Sequence, residues 1–314
     1  MKNIRLHCAL LAAALMAAVS THATLAAGLD INDQAVLVPY ANDTGNGFTT
    51  TVGITTRAAG TLYWAFFDQN GNRRARGDET LLTHQRFAFI WSTEAAAAVA
   101  GGPANTPGYL LFAIDTTVGG LITGADSNAL TAGAFFVNLP VNDVAYIPTM
   151  PIDAAWLSDA DPDNWTNNPI TQLAPADAIA AGATLNLPYL IAGSPNDGED
   201  TKFYVFTTAS LGSTRSMTVH DGDGASKIIT VQALSSNLNI LDPETVSDIT
   251  PAFYGDGMVR WTIPAGAGGP IQAFACSVIE SDAFGAAQTL DGGQWCHPGS
   301  VARAVLRHKV HRLG

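Results

Sequence analysis

One stretch of sequence occurs twice in this chain, and it limits the folds that the chain can adopt. Segment 38–56 begins with Val-Pro-Tyr and ends in a Thr-rich run, and segment 187–208 begins with Leu-Pro-Tyr and ends in the same way. In both copies a further apolar run leads into a tight turn, at 68–71 and at 221–224. The Asn-Gly and Asp-Gly pairs in these turns supply the positive-φ residues that tight hairpins need. The repeat therefore predicts two domains that share one fold.

Short landmarks align the two copies. The separation between aligned residues mostly grows along the chain, as loop insertions in the second copy would produce. The aligned landmarks are Pro39 with Pro188, Thr55 with Thr207, Asp68 with Asp221, and Phe112-Ala113 with Phe274-Ala275.

Alternating side chains predict that the repeated runs are β-strands. In segment 48–56 the apolar residues Phe48, Val52 and Ile54 share one face, and threonines occupy the other. A series of such runs separated by turns predicts an all-β chain of two tandem immunoglobulin-like β-sandwich domains, related by internal duplication. One short helix is predicted from Glu94 to Ala100, because Ser92 and Thr93 can cap it.

The N-terminal residues have the pattern of an export signal. Lys2 and Arg5 precede an apolar run that is short for a membrane span, and Ala23 and Ala26 offer cleavage sites. An uncleaved anchor is the alternative. We expect a secreted, cell-surface or periplasmic protein with no transmembrane segment in the mature chain. The predicted organisation is a signal peptide at 1–26, a first sandwich at 27–150, an acidic linker at 151–183, a second sandwich at 184–298 and a basic amphipathic tail at 299–314.

The charge of the chain restricts its partners. It has 15 basic and 27 acidic residues, a formal net charge of −12 at pH 7. Several of the basic residues lie in the tail, so the body is more acidic than the whole. Such a body repels nucleic acid and anionic membranes, which excludes nucleic acid as a partner. The acidity fits either a calcium-rich exterior or the solubility of an exported protein.

Two cysteines remain beyond the signal peptide, Cys276 and Cys296. An even number in an oxidising compartment predicts a disulfide between them. In the chain-entropy model such a bond stabilises the fold by about 3 kcal/mol. A free thiol or a metal-binding pair is the alternative.

Three alternating carboxylates in the linker are the candidate metal ligands. Asp159, Asp161 and Asp163 occupy positions one, three and five of a short loop, a spacing that lets carboxylates converge on one calcium ion. Two departures from an EF-hand count against calcium, because the sixth position is Asn164 and Ile170 replaces the bidentate glutamate. The alternative is a solvated acidic linker that needs no ion.

Other motifs point to binding rather than to catalysis. Trp156 and Trp165 in the linker are candidate stacking platforms for glycans, with burial against a neighbouring domain as the alternative. Arg76-Gly77-Asp78 matches an adhesion tripeptide, a match that is common by chance. We find no metalloprotease, nucleophile-elbow, Walker or dinucleotide-binding motif, so no catalytic residue is predicted. A site assembled from distant residues would leave no such motif.

The tail combines apolar residues at helical spacing with basic residues elsewhere, which predicts a short amphipathic helix. A frayed terminus is the alternative, because helices this short are marginal alone. The sequence therefore favours an exported, non-enzymatic structural protein that associates with copies of itself or with other surface components. The alternatives are a carbohydrate-binding or adhesion module that uses calcium, and a secreted hydrolase. The predicted self-association residues are Arg303, Arg307, Lys309 and Arg312.

Overall fold

A computed structural model describes residues 34–43, 47–98, 105–117, 119–124, 129–140, 143–173, 179–180, 182–191, 199–212, 215–231, 237–245, 255–263, 271–281 and 286–291. The predicted signal peptide, Cys296 and the basic tail lie outside these residues. The chain divides into two compact units. The first takes the described residues up to Asp68, from Asn72 to Pro140 and from Tyr146 to Ile170; the second takes Gln69–Gly71, the described part of 141–145 and the residues from Thr171 onward.

The all-β prediction is confirmed. The described residues form four antiparallel sheets and one α-helix, α1 (Trp91–Ala98), and three-residue 3-10 turns lie at Ala154–Trp156, Pro162–Asn164 and Pro243–Thr245. The strands are β1 (Ala35–Ala41), β2 (Phe48–Thr56), β3 (Gly60–Asp68), β4 (Arg73–Leu81), β5 (Arg86–Ile90), β6 (Gly108–Asp115), β7 (Leu130–Asn138), β8 (Asp143–Ile147), β9 (Met150–Ile152), β10 (Ile179–Ala180), β11 (Thr184–Ile191), β12 (Glu199–Thr207), β13 (Arg215–Asp221), β14 (Ser226–Val231), β15 (Leu238–Leu241), β16 (Gly255–Thr262), β17 (Gln272–Ser281) and β18 (Ala286–Asp291).

The strands β1 to β9 form two sheets, in the orders β4-β3-β6-β1-β9 and β5-β2-β7-β8. Aromatic side chains of both sheets pack against each other. Trp64 on β3 lies edge-on to Phe89 on β5, with ring centroids 5.2 Å apart, and Phe89 contacts Phe112 on β6 in the same way at 5.0 Å. The two sheets therefore enclose one aromatic core.

The strands β10 to β18 form two further sheets. One has the order β11-β16-β13-β14, and the other has the order β10-β17-β12-β15 with β18 also paired to β17. Their shared core includes Leu187 and Val259 from the first of these sheets and Val205 and Ala275 from the second, all essentially inaccessible to solvent.

The two units have the same strand order when β1 is matched with β11, β2 with β12 and so on to β8 with β18. The orders β4-β3-β6-β1 and β5-β2-β7-β8 become β14-β13-β16-β11 and β15-β12-β17-β18. Register agrees as well. Asp68 lies opposite Gly108 in the first unit, and Asp221 lies opposite Gly257 in the second. Both aspartates close the same turn, because Asp68 Oδ1 accepts from the Asn72 N–H and Asp221 Oδ1 accepts from the Ala225 N–H.

The structure changes two of the sequence alignments. Thr56, and not the exposed Thr55, corresponds to Thr207, since Thr56 and Thr207 are both buried. Thr56 donates its N–H to the Gln85 carbonyl, and Thr207 donates its N–H to the Asn237 carbonyl. Phe112 lies on β6, whose counterpart is β16, whereas Phe274 lies on β17, the counterpart of β7.

The helix α1 begins at Trp91, three residues before the predicted start. The hydroxyl oxygen of Thr49 accepts the Ser92 N–H at 3.0 Å, so a neighbouring strand satisfies a backbone donor in the first turn.

Residues 151–170, predicted as the first part of a linker, are folded within the first unit. Strand β9 extends a sheet by pairing with β1. Farther along, Ile122 donates its N–H to the Ala160 carbonyl, and Arg73 donates its N–H to the Thr166 carbonyl. The segment is thus tied to β1, to the loop after β6 and to β4, across the width of one sheet. We refer to residues 153–170 as the cover segment.

Candidate functional site

Each of the three linker aspartates makes its own contact with a nearby group. Asp159 Oδ1 accepts the Asp161 N–H at 2.9 Å, and Asp161 Oδ1 accepts the Asp163 N–H at the same distance. The other oxygen of Asp159 accepts from the Asn164 amide at 3.0 Å. These are side-chain turns of the kind that Asp and Asn stabilise in loops. The alternating spacing thus shapes the backbone of the cover segment.

Two arginines of β4 hold this loop in place. The Arg73 guanidinium donates to the carbonyls of Pro162 and Asp163 at 3.2 and 3.1 Å, and the Arg76 guanidinium forms an ion pair with the Asp163 carboxylate. No group of three or more His, Cys, Asp or Glu side chains among the described residues is placed to hold a metal ion. The two arginines thus connect β4 to the loop that contains Pro162 and Asp163.

The linker tryptophans differ in exposure. Trp165 is 1% exposed, and its indole N–H donates to the Asp159 carbonyl at 2.8 Å. Trp156, in the 3-10 turn, is half-buried. The position of Trp165 is that of a core residue, because neither face of its ring is accessible to a sugar.

A well-bonded aspartate in the first unit is a feature that the sequence analysis missed. Asp115, 4% exposed, accepts the N–H groups of Thr117, Gly119 and Gly120 and the Thr117 hydroxyl, at 2.7 to 3.1 Å. Burial acts to raise the pKa of this carboxyl, but the hydrogen bonds outweigh it and lower the pKa. With this many donors directed at it, Asp115 fixes the loop after β6, and the signal in the sequence is the short Asp-Thr-Thr turn.

The remaining predicted residues are placed as follows. Arg76-Gly77-Asp78 lies within β4, paired with β3, and a side chain at Gly77 would meet the Trp64 ring at 2.6 Å. Cys276 is 1% exposed on β17. Because Cys296 lies outside the described residues, the disulfide stays a prediction, and so does the role of the basic tail.

Tyr189 in the second unit has an unusual protonation equilibrium. Burial, followed by the charges of Asp221 and Asp256, raises the pKa of Tyr189 to about 12. Its hydroxyl donates to the His220 carbonyl at 3.5 Å. In an unfolded chain a tyrosine ionises near pH 10.

We expect the free energy of unfolding to fall as the pH rises from about 10 to about 12, because only the folded chain then keeps the Tyr189 proton. Tyr189→Phe should remove this part of the fall. Tyr63 and Tyr109, whose pKa values are also raised, continue to contribute in the variant. Urea unfolding across this pH range, with an ultraviolet titration of the folded protein, measures the effect. An unchanged pH dependence in the variant would contradict the assignment.

The two units differ at one pair of corresponding sheet edges. Strand β4 ends its sheet in the first unit, and charged side chains protect it, as is usual for natural edge strands. Strand β14 ends the corresponding sheet in the second unit, and among the described strands it pairs only with β13. Its Ile228 is 68% exposed. The exposed charged residues of β4 are Arg74, Arg76, Asp78 and Glu79.

We call β14 the open edge. Its residues Ser226-Lys227-Ile228-Ile229-Thr230-Val231 have one charge and a high proportion of β-branched side chains. Ile229 and Val231 are buried in the core, whereas Ser226, Ile228 and Thr230 are exposed. An edge strand with a row of outward backbone groups is a template for pairing with another strand.

Comparisons with known proteins give only distant likenesses. No known family matches the chain, and no curated protein matches it. Among solved structures, a Streptomyces avermitilis alpha-L-rhamnosidase is 13% identical with a TM-score of 0.22, over 85% of this chain and 26% of that one. A Bacillus subtilis oxalate decarboxylase is 10% identical with a TM-score of 0.21, over 92% of this chain and 77% of that one. The Momordica charantia 7S globulin is 7% identical with a TM-score of 0.19, over 79% of this chain and 70% of that one.

At these TM-scores none of the likenesses carries an argument about this chain. In the described part of the chain, no helix has the length and apolar character needed to cross a membrane.

Proposed function

We propose that this chain is an exported, non-enzymatic structural protein that associates with copies of itself. In this proposal it consists of two tandem immunoglobulin-like sandwiches that arose by duplication. The open edge of β14 is the observation that carries the self-association. The other supporting observation is the matching strand pairing of the two units.

The matching strand orders of the two units support the duplication. Equivalent residues also make equivalent contacts, because Val38 pairs with Leu110 in the first unit and Leu187 pairs with Val259 in the second. In immunoglobulin-type sandwiches the second and fifth strands pair in one sheet, and the third and sixth pair in the other. Here β1 pairs with β6 in one sheet and β2 pairs with β7 in the other, so consecutive strands also alternate between sheets, but the paired strands are five positions apart in the chain and not three.

The contrast between β4 and β14 supports self-association. Natural proteins protect exposed sheet edges with charges, and the first unit does so. In the second unit the corresponding strand exposes Ile228 and two hydroxyl side chains instead. With Lys227 as its single charge, the edge of β14 is less protected than that of β4, as a pairing surface requires.

The basic residues Arg303, Arg307, Lys309 and Arg312 supply a second proposed contact, with the acidic body of a neighbouring molecule. Attraction between exposed charges is screened within about 10 Å at 0.1 M salt, so this contact should weaken as salt is added. Backbone pairing at β14 should persist. The salt dependence of self-association therefore distinguishes the two contacts.

Sedimentation velocity over a range of protein concentration tests the proposal. We expect the average sedimentation coefficient to rise with concentration, and part of the rise to remain at high salt. A buffer series with calcium and with a chelator shows whether an ion contributes. A monomer at every concentration and salt would contradict the proposed function.

A further inference from the structure

The hydrogen-bonding pattern of the β13–β14 hairpin shows which backbone groups face the open edge. Asp221 donates its N–H to the Ala225 carbonyl at 3.1 Å, so Asp221 and Ala225 are a hydrogen-bonded pair. In antiparallel strands such pairs alternate with non-hydrogen-bonded pairs. The next hydrogen-bonded pairs are therefore Val219 with Lys227 and Met217 with Ile229.

The intervening residues of β14 direct their backbone groups away from β13. Ser226, Ile228 and Thr230 lie opposite His220, Thr218 and Ser216 in non-hydrogen-bonded positions. Their N–H and C=O groups consequently point out of the sheet, along the open edge. The same three residues are exposed, and no second described strand pairs with β14, so the edge directs its backbone groups and an apolar side chain away from the described sheet.

We infer that the partner of this edge is β14 of a second copy, paired antiparallel about a two-fold axis through Ile228. This inference rests on the proposed function and assigns it a surface. Ile228 lies opposite Ile228 of the second copy, and Ser226 lies opposite Thr230. The outward N–H and C=O groups of both strands are then satisfied, by about six hydrogen bonds.

Three physical requirements select this register. A shift by a single residue would place buried residues such as Ile229 opposite exposed ones and break the continuity of the two faces. An axis through Lys227 would put two like charges directly opposite each other, which is destabilising. An axis through Ile229 would leave Ser226 without a partner inside β14, whereas the axis through Ile228 pairs all three outward residues.

The expected complex is weak. Strand β14 has six residues, so the edge contact buries less than the surface of about 1,600 Å² of a standard interface. Such a dimer should exchange rapidly and be populated at high protein concentration. Two sheets of four strands become one continuous sheet in it, which is the geometry of strand addition.

Cysteine cross-linking of the full chain tests the register. In Ile228→Cys the two Cα atoms lie about 5.5 Å apart across the axis, within the range of a disulfide. In the matched control Thr230→Cys the two Cα atoms lie about 14 Å apart, because each is four residues from the other's partner position. Both variants keep the native cysteines, so the background is shared. Dissolved oxygen is the oxidant, with copper–phenanthroline as the catalyst; it takes two electrons from the two thiols, and their protons pass to the solvent.

We expect Ile228→Cys to form covalent dimer many times faster than Thr230→Cys on non-reducing gels. Equal rates would overturn the inference. Ile228→Lys should lower the dimer fraction in sedimentation at high salt at least several-fold. Leu82→Lys, at a loop position with 69% exposure, should not change it. If the wild type associates but neither Ile228 variant has its expected effect, the proposed pairing of β14 is wrong and the proposed function stands. If the wild type is a monomer, both the pairing and the proposed function are wrong.

Discussion

Trp165→Ala should destabilise the first unit by about 3–5 kcal/mol, the cost of removing a large buried aromatic side chain. Trp165 is 1% exposed and donates its indole N–H to the Asp159 carbonyl. Its loss should also release the cover segment, since the Asp159 loop is then held chiefly by Arg73 and Arg76. Denaturant unfolding measures the stability, and limited proteolysis near residues 159–165 reports the release.

Trp165→Phe is the control for the same site. It keeps an aromatic ring in the core but removes the indole hydrogen bond, which contributes about 0.5–1.5 kcal/mol, and part of the ring volume, so it should cost less than Trp165→Ala. A glycan-stacking role makes the opposite prediction: Trp165→Ala would then fold as stably as the parent and lose binding to polysaccharide. The two outcomes separate a core residue from a binding platform.

The sequence predicts the correspondence between the two units correctly at the turns, where specific turn residues occur in both copies. Asp68 and Asp221 begin the same turn in both units, and Pro39 and Pro188 lie on corresponding strands. The sequence alignment of Thr55 with Thr207 is wrong by one residue, because both copies have two consecutive threonines there. Composition does not show which of the two threonines faces the core. Strand pairing does, since only the buried member donates to the loop carbonyl.

The cover segment was harder to predict because local and long-range evidence disagree. Its Asp, Asn and Pro content is typical of a solvated linker. The contacts that fold it come from distant residues, such as Arg73 on β4 and Gln34, whose side-chain oxygen accepts the Ala154 N–H. The position of β14 at the edge of its sheet could not be predicted either, because the residues Ser226–Val231 do not show whether their strand is central or at an edge. That property belongs to the strand order.

A substitution at either of two corresponding glycines should strongly destabilise the unit in which it lies. A Cβ atom at Gly108 would lie 2.0 Å from the Phe67 carbonyl oxygen, and one at Gly257 would lie 2.3 Å from the His220 carbonyl oxygen. Both obstacles are backbone atoms of the residue before the turn aspartate, so relief requires a shift of the strand itself. We expect Gly108→Ala and Gly257→Ala each to cost about 3 kcal/mol, the upper part of the usual range for overpacking.

The control for these variants is Gly133→Ala on β7, where no heavy atom lies within 4 Å of the added Cβ. Its effect should stay within about 0.5 kcal/mol. Each unit has its own core, so the two units should unfold in separate calorimetric transitions. Gly108→Ala should lower the temperature of one transition, and Gly257→Ala should lower that of the other. If the two glycines mark one ancestral contact, both variants must be destabilising by similar amounts. A tolerated alanine at one position alone would mean that the backbones differ there, and it would count against the proposed duplication.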